Sequence, residues 1–149
     1  MFTFPLLPLA YGLFGLIIGS FLNVLILRKS VLTLGGRSAC MSCETELRWF
    51  ELIPVFSWIC LRGRCRTCGS SISVQYPLVE ASTAILFAVI GASILALDPI
   101  AALLALVIVS LLVAIAAYDI RHTIIPDMWG YAFAVVTLAL TFYTGVPQG

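Results

Sequence analysis

Residues 99–127 read PIAALLALVIVSLLVAIAAYDIRHTIIPD, and this stretch decides what kind of fold the chain can adopt. Residues 99–118 carry no charged side chain, and roughly 20 apolar residues are enough for a helix to cross about 30 Å of hydrocarbon. Asp119 follows directly. An aspartate is costly at the end of a membrane-spanning helix, so Asp119 is a candidate functional residue. Pro126 predicts the end of the helix, because proline lacks an N–H and clashes with the preceding turn.

The composition of the whole chain agrees with a membrane protein. Of its 149 residues, 62% are hydrophobic and only 10% are charged, whereas about a quarter of a soluble domain is charged. The mean hydropathy is +1.13. The first apolar run is too long for the core of a secretory signal, and nothing basic precedes it, so we expect it to be retained. We predict an all-α polytopic membrane protein with four transmembrane helices, at about 6–27, 78–97, 99–118 and 129–146.

The basic residues predict how the chain is oriented. Seven of the eight Lys and Arg residues lie between Arg28 and Arg66, and the eighth is Arg121. The positive-inside rule therefore places the loop after the first span in the cytoplasm and the N-terminus outside. With four spans, Asp119 then lies at the cytoplasmic end of the third. Because topology accounts for the basic loop, we expect no nucleic-acid partner.

The first span carries a strip of small residues and one buried amide. Gly12, Gly15 and Gly19 lie at helical spacing, and such a strip lets a neighbouring helix approach closely. We expect packing within the chain, with a dimer interface as the alternative. Asn23 should satisfy its amide against another helix or a lipid headgroup.

The loop at residues 30–77 carries two paired cysteines. Cys40-x-x-Cys43 and Cys65-x-x-Cys68 predict a tetrahedral Zn²⁺ site. A reducing cytoplasm disfavours disulfides, and the loop is too short to build a core of its own. The alternative is four unliganded thiols. Cys60 lies outside both pairs, and we predict that it is a small buried hydrophobic residue.

The predicted domains are residues 1–29 as the first span, residues 30–77 as a small zinc-ribbon-like domain, and residues 78–149 as three further spans. Within the loop, most of residues 49–59 are apolar, but they are too few to cross a membrane, and Pro54 interrupts them. We expect them to lie at the membrane interface; a groove for an apolar peptide is the alternative. The Glu80 carboxylate either stabilises the N-terminal end of the second span or faces the active site.

Several motifs together give the chain a family resemblance. The chain resembles bacterial type IV prepilin peptidases, the leader peptidases and N-methyltransferases of the inner membrane. The resemblance covers about residues 12–131. The motifs that carry it are Gly19–Val24, Leu52–Trp58, Arg62–Gly69 with its paired cysteines, Tyr76–Glu80, and Asp119 followed by Ile125-Pro126-Asp127.

The resemblance implies an aspartic endopeptidase that cleaves the basic leader of prepilins or pseudopilins on the cytoplasmic side. It also implies N-terminal methylation with S-adenosylmethionine as the cofactor. Asp119 would be the first catalytic aspartate and Asp127 a supporting residue. The family's second catalytic aspartate lies in a Gly-x-Gly-Asp motif, which this sequence lacks.

That missing aspartate matters because an aspartic peptidase needs two carboxylates that share a proton. Asp127 is a poor substitute, since on an unbroken helix it would point about 80° away from Asp119. We therefore expect the complete enzyme to have further spans and the 149-residue chain to be inactive as a peptidase.

Two other functions stay open. One is a non-enzymatic, zinc-binding membrane scaffold for pilus or secretion machinery, with Asp119 merely capping a helix. The other is methyl transfer without proteolysis. The sequence has no glycine-rich dinucleotide loop, so S-adenosylmethionine is implied by the resemblance alone.

Overall fold

The computed structural model describes residues 6–27, 37–93, 98–123 and 126–145. Four of the helices in this part of the chain have the length and composition of membrane spans, which confirms the predicted all-α, four-span fold. A short 3₁₀ helix and one short α-helix lie in the loop. The helices are α1 (Leu6–Leu27), the 3₁₀ helix (Trp49–Leu52), α2 (Phe56–Cys60), α3 (Gln75–Ser93), α4 (Pro99–His122) and α5 (Asp127–Gly145).

Helix boundaries differ from the predicted spans by a few residues. Helix α3 begins three residues earlier than predicted, where the Ser73 hydroxyl accepts a hydrogen bond from the Gln75 N–H at 3.2 Å. Helix α4 continues past the apolar run to His122. The end of the apolar run marks the edge of the hydrocarbon, but helical hydrogen bonding continues beyond that edge. Asp119 therefore lies in the last turn of α4 rather than after it. Residues 94–97 and 146, predicted as helical, lie outside the described residues.

The end of α4 has an identifiable cap. Thr123 adopts a left-handed conformation with φ of 53°, and its N–H donates to the Asp119 carbonyl at 2.7 Å. Helix α5 starts after Pro126, whose fixed φ suits the start of a helix. Asp119 and Asp127 therefore belong to different helices, as Pro126 predicts.

The glycine strip of α1 packs against α3, which confirms the expected packing within the chain. A Cβ added at Gly15 would lie 2.7 Å from the Ala84 Cα, and one at Gly19 would lie 2.7 Å from the Glu80 Cα. Side chains larger than hydrogen would therefore push the two helices apart. Beyond the strip, Leu22 and Ile26 of α1 are buried in a core with residues of α3 and α4.

Gly15→Ala should destabilise the bundle, because its Cβ would collide with the backbone of α3. We expect a loss of about 1–3 kcal/mol. Gly12→Ala is the matched control, since its Cβ would meet neighbouring atoms at an ordinary 3.6 Å and alanine favours a helix. Thermal unfolding in detergent measures both. Equal stability of the two variants would contradict the proposed contact.

One end of the bundle gathers the polar features of the chain. The Asn23 amide donates to the Tyr76 carbonyl at 3.0 Å, which confirms that a neighbouring helix satisfies it. The Gln75 amide of α3 donates to the Ala117 carbonyl of α4 at 3.5 Å. The C-terminal ends of α1 and α4 and the N-terminal end of α3 therefore meet. We call this the loop end, because the cysteine loop joins α1 and α3 here.

Asp98 lies at the opposite end, where it caps α4. Its carboxylate accepts hydrogen bonds from the Ile100 N–H at 2.9 Å and the Ala101 N–H at 3.3 Å, as an N-cap aspartate does. The Tyr143 hydroxyl of α5 also donates to it, at 3.3 Å. Helices α4 and α5 therefore form an antiparallel hairpin, and Asp127 begins α5 at the loop end.

Candidate functional site

The two cysteine pairs form two knuckles of the same construction. Each knuckle begins with a cysteine that makes two backbone hydrogen bonds. Its N–H donates to the carbonyl of the residue five positions later, and its carbonyl accepts from the N–H of the residue four positions later. A residue with positive φ closes each turn. The bonds are Cys40 N to Thr45 O (3.0 Å) and Glu44 N to Cys40 O (2.9 Å), then Cys65 N to Ser70 O (2.8 Å) and Gly69 N to Cys65 O (2.9 Å).

The knuckles bring the four cysteines together as the sequence spacing predicts. The four sulfur atoms all lie within 4.8 Å of one another. The Cys40 and Cys68 sulfurs are 3.8 Å apart, and the Cys43 and Cys65 sulfurs 4.0 Å apart. Zinc binds thiolates at about 2.3 Å, so a zinc tetrahedron has edges of about 3.8 Å. The sulfur quartet thus fits a tetrahedral metal ion and is compatible with zinc.

Local hydrogen bonds favour the thiolate form in two of these cysteines. The Ser42 N–H, 3.5 Å from the Cys40 sulfur, lowers the pKa of that thiol to about 6. The Ser70 hydroxyl, 3.1 Å from the Cys68 sulfur, lowers the pKa of Cys68. Metals bind the thiolate and not the thiol, so these hydrogen bonds favour ligation by Cys40 and Cys68.

The knuckles differ in the residue that closes the turn. Gly69 closes the second knuckle with φ of 72°, whereas Glu44 closes the first with φ of 55°. Glycine tolerates this conformation without steric cost, and other residues do not. We therefore expect Glu44→Gly to stabilise the loop by up to about 1 kcal/mol. Chelator titration of the zinc-loaded protein measures the effect, and earlier zinc loss in the variant would contradict it.

Cys60 is not where the sequence predicts. We predict a buried residue, but Cys60 lies exposed at the end of α2. The prediction is wrong because α2 lies on the surface of the loop, and none of its residues is buried. The same surface exposes Trp49, Phe56 and Ile59, with 77%, 64% and 59% of each residue accessible. Contact of these side chains with the membrane interface stays a prediction.

Ion pairing and an indole hydrogen bond hold the short helices against the knuckles. The Arg66 guanidinium lies 3.3 Å from the Glu51 carboxylate, and Glu51 also accepts the Arg48 N–H at 2.8 Å. The Trp58 indole N–H donates to the Ile72 carbonyl at 3.2 Å. Its ring covers Gly63, where an added Cβ would lie 2.8 Å from it.

Glu80 joins the loop to the membrane helices. The Glu80 residue is only 7% exposed, and its carboxylate accepts the Val55 backbone N–H at 2.7 Å. The backbone of α1 also lies directly against Glu80, since a Cβ added at Gly19 would lie 2.7 Å from the Glu80 Cα. Three motifs of the sequence therefore meet at Glu80: the Gly19–Val24 stretch, the Leu52–Trp58 stretch and the Tyr76–Glu80 stretch.

The backbone at Val55 is strained. Val55 has φ of 61° and ψ of −49°, and the Phe56 N–H donates to the Pro54 carbonyl at 2.6 Å. This is a γ-turn with positive φ, a rare conformation that is especially unfavourable for a β-branched residue. Such strain costs on the order of 1–3 kcal/mol and persists only where surrounding contacts impose it. The Glu80 carboxylate is one of those contacts.

A cavity of about 410 Å³ lies between the loop and the loop end of the bundle. Its walls come from α1, α3, the end of α4, both knuckles and the short helices. Residues from the membrane helices that line it are Ser20, Asn23, Val24, Tyr76, Glu80 and Arg121. The sequence places Glu80 near a helix start or an active site; in the structure it lies in the second turn of α3 and lines this cavity.

Asp119 and Asp127 are both exposed, and neither lines the cavity. Asp119 lies in the last turn of α4 and Asp127 in the first turn of α5, both at the loop end. Beside them, the Tyr118 ring packs against His122 and Trp129, with centroid distances of 4.3 and 5.3 Å. The hairpin thus holds the two aspartates on neighbouring helix ends.

Sequence reasoning missed two features of the site. It did not predict that Glu80 binds the Val55 N–H, because no local pattern links residues 25 positions apart. It also used Arg121 only as a marker of topology, whereas Arg121 lines the cavity and contacts the Gln75 side chain at 3.5 Å. The sequence did contain a signal for the role of Arg121, because this residue lies about one helical turn beyond the end of the apolar run and close to Asp119.

The fold and site define a multi-pass membrane protein in which a loop with four cysteines that could hold a metal ion lies on the end of the helix bundle. The profile of the bacterial peptidase A24 N-terminal domain matches residues 13–94. The chain therefore belongs to the bacterial A24 prepilin peptidase family, as the resemblance implies.

Curated relatives agree with this membership. A prepilin leader peptidase/N-methyltransferase of Myxococcus xanthus is 41% identical, over 95% of this chain and 42% of the relative. A protein of the same name from Pectobacterium carotovorum is 37% identical, over 79% and 50%. A type 4 prepilin-like proteins leader peptide-processing enzyme of Escherichia coli is 35% identical, over 83% and 52%. The chain thus spans about half the length of these relatives. No solved structure matches it.

Proposed function

We propose that this protein acts as a prepilin leader peptidase of the bacterial inner membrane, with an associated N-terminal methyltransferase activity. The observation that carries the proposal is its family membership, together with Asp119 at the loop end of α4. Relatives in three organisms are named for leader processing. The substrates would be prepilins or pseudopilins, and the methyl donor S-adenosylmethionine.

In this proposal Asp119 is one of the two carboxylates of an aspartic endopeptidase. One carboxylate accepts a proton from water while the other, protonated, polarises the scissile carbonyl. The exposed position of Asp119 leaves its carboxylate accessible to a substrate segment that enters from the membrane surface. Asp127, across the hairpin, would support the site rather than supply the second catalytic group.

The cysteine loop has a different role. Cys40, Cys43, Cys65 and Cys68 would hold Zn²⁺, and four thiolates leave no coordination position for a substrate. The bound ion supplies folding free energy to the loop rather than chemistry. The loop then forms the wall of the cavity over α1 and α3.

Orientation is testable through Cys60, the one cysteine of five outside the metal quartet. If the loop is cytoplasmic, a membrane-impermeant maleimide should label Cys60 only after the membrane of spheroplasts is opened. Zinc should protect the other four thiols, and Cys60→Ser should abolish the signal. Labelling of Cys60 in intact spheroplasts would contradict a cytoplasmic loop.

The functional test follows a prepilin through both reactions. The complete protein in lipid, with a prepilin and S-adenosylmethionine, should release the leader and then add one methyl group to the new N-terminus. Mass spectrometry of the product separates the two steps. A product with an intact leader would overturn the peptidase proposal. Binding of the prepilin without either change would favour the scaffold function.

A further inference from the structure

The Glu80 carboxylate lacks a cationic partner within the described residues. The Val55 backbone N–H, a neutral donor, hydrogen-bonds it at 2.7 Å, and the Ser20 and Asn23 side chains that line the same cavity are also neutral. The ion pairs recorded in the described part of the chain do not include it. Burial of an unpaired charge is expensive, so a carboxylate held in this way fits a site that receives its cation from a ligand.

The other charges around the cavity are engaged elsewhere. Arg37 pairs with Glu46 at 2.7 Å, and Arg66 pairs with Glu51 at 3.3 Å. Arg121 contacts the Gln75 side chain, which lies five residues before Glu80 on α3. Five residues of helix rise about 7.5 Å. The cavity therefore has an acidic residue, Glu80, on α3. It also has a basic residue, Arg121, at the end of α4, where it lies beside the first residue of α3.

The cavity suits a small molecule. Its volume of about 410 Å³ falls within the range of small-ligand pockets, about 300–1,000 Å³. The lining includes Tyr76 and Trp58, and aromatic rings attract ammonium and related cations. The strained turn at Val55 fixes one Glu80 oxygen at 2.7 Å, so the carboxylate cannot turn away from the cavity without breaking that bond.

We propose that this cavity binds a small onium ligand, with Glu80 as the counter-ion of its positive centre. The ligand class is a primary ammonium or a sulfonium, and an anionic group on the same ligand would face Arg121. The two sources follow from the proposed function, since methylation of an N-terminus uses an amine acceptor and a sulfonium donor. The binding site itself is separate from the Asp119 peptidase site.

Two matched pairs of probes test the proposal by binding. S-Adenosylmethionine and S-adenosylhomocysteine differ in the sulfonium charge. A short apolar peptide with a free N-terminus and its acetylated form differ in the ammonium charge. Equilibrium dialysis with the zinc-loaded protein in lipid should show that the charged member of one pair binds at least about tenfold more tightly. If the sulfonium pair shows the difference in affinity, the ligand is the methyl donor. If the ammonium pair shows it, the ligand is the amine acceptor.

Glu80→Gln should remove that preference, while Asp98→Asn should keep it, because Asp98 caps α4 at the opposite end of the bundle and does not line the cavity, and asparagine caps a helix about as well as aspartate. A preference that survives in Glu80→Gln would overturn the proposal, as would the lack of preference in both pairs. Binding does not require leader cleavage, so a failed peptidase assay leaves this result interpretable.

A measurement on the unaltered protein covers the case in which Glu80→Gln fails to fold. Dicyclohexylcarbodiimide modifies carboxyl groups in apolar surroundings, and mass spectrometry locates the adduct. The charged probe should protect Glu80 from modification at least about tenfold better than its neutral partner. Equal protection by both members of each pair would overturn the proposal.

Discussion

Cys65→Ser is expected to remove the metal and to unfold the loop between α1 and α3, while the long helices stay helical. Cys65 is the most buried ligand of the quartet, at 9% exposure. Structural zinc contributes about 10–16 kcal/mol of apparent binding free energy in small domains. The described loop has little apolar core of its own, since its β-type pairing amounts to the two isolated bridges Ala39–Glu46 and Arg64–Ser71 and neither short helix has a buried residue.

Elemental analysis and limited proteolysis measure this effect. The reduced wild-type protein should contain one zinc per chain, and Cys65→Ser much less. Protease should then cleave between residues 37 and 74, and circular dichroism should show the long helices intact. Cys60→Ser is the control, because Cys60 is outside the quartet. Reduced wild-type protein without bound metal would contradict the zinc assignment.

Asp119→Asn in the complete protein should abolish leader cleavage. Loss of one member of a catalytic set costs on the order of 10⁴-fold or more in rate. Asparagine keeps the size of the side chain but cannot act as the base of an aspartic peptidase. The side chain of Asp119 is exposed, and its backbone carbonyl alone makes the cap with Thr123. The substitution should therefore leave the fold and the zinc content unchanged.

Asp127→Asn is the matched control for this prediction. Asp127 is also exposed and lies in the first turn of α5, where a carboxylate contributes about 0.3–1 kcal/mol to helix stability. We expect less than about a tenfold loss of cleavage from it. Cleavage at the native rate by Asp119→Asn would show that Asp119 is misassigned. The 149-residue chain alone should cleave no prepilin, because it lacks the Gly-x-Gly-Asp motif.

Local patterns predicted most of the fold. The apolar runs are long enough to require helices in hydrocarbon, since only a helix satisfies its backbone hydrogen bonds within one segment. The glycines of α1 predicted a close helix contact, although not that α3 would make it. The cysteine spacing predicted the sulfur quartet, because each knuckle supplies two of the four thiolates that a tetrahedral ion needs.

Tertiary structure decided the rest, because it depends on residues far apart in the chain. Cys60 is exposed because α2 lies on the outer surface of the loop. Its neighbours in the sequence are apolar, and the sequence therefore predicted a buried position. Gly19 lets the backbone of α1 approach that of α3 at Glu80, and the loop places the Val55 N–H 2.7 Å from the carboxylate of the same residue. Composition and spacing thus determined the four long helices and the grouping of four cysteines that could hold a metal ion. Only packing could place a buried carboxylate beneath the loop, since that arrangement requires α1, α3 and the strained turn to meet at one point.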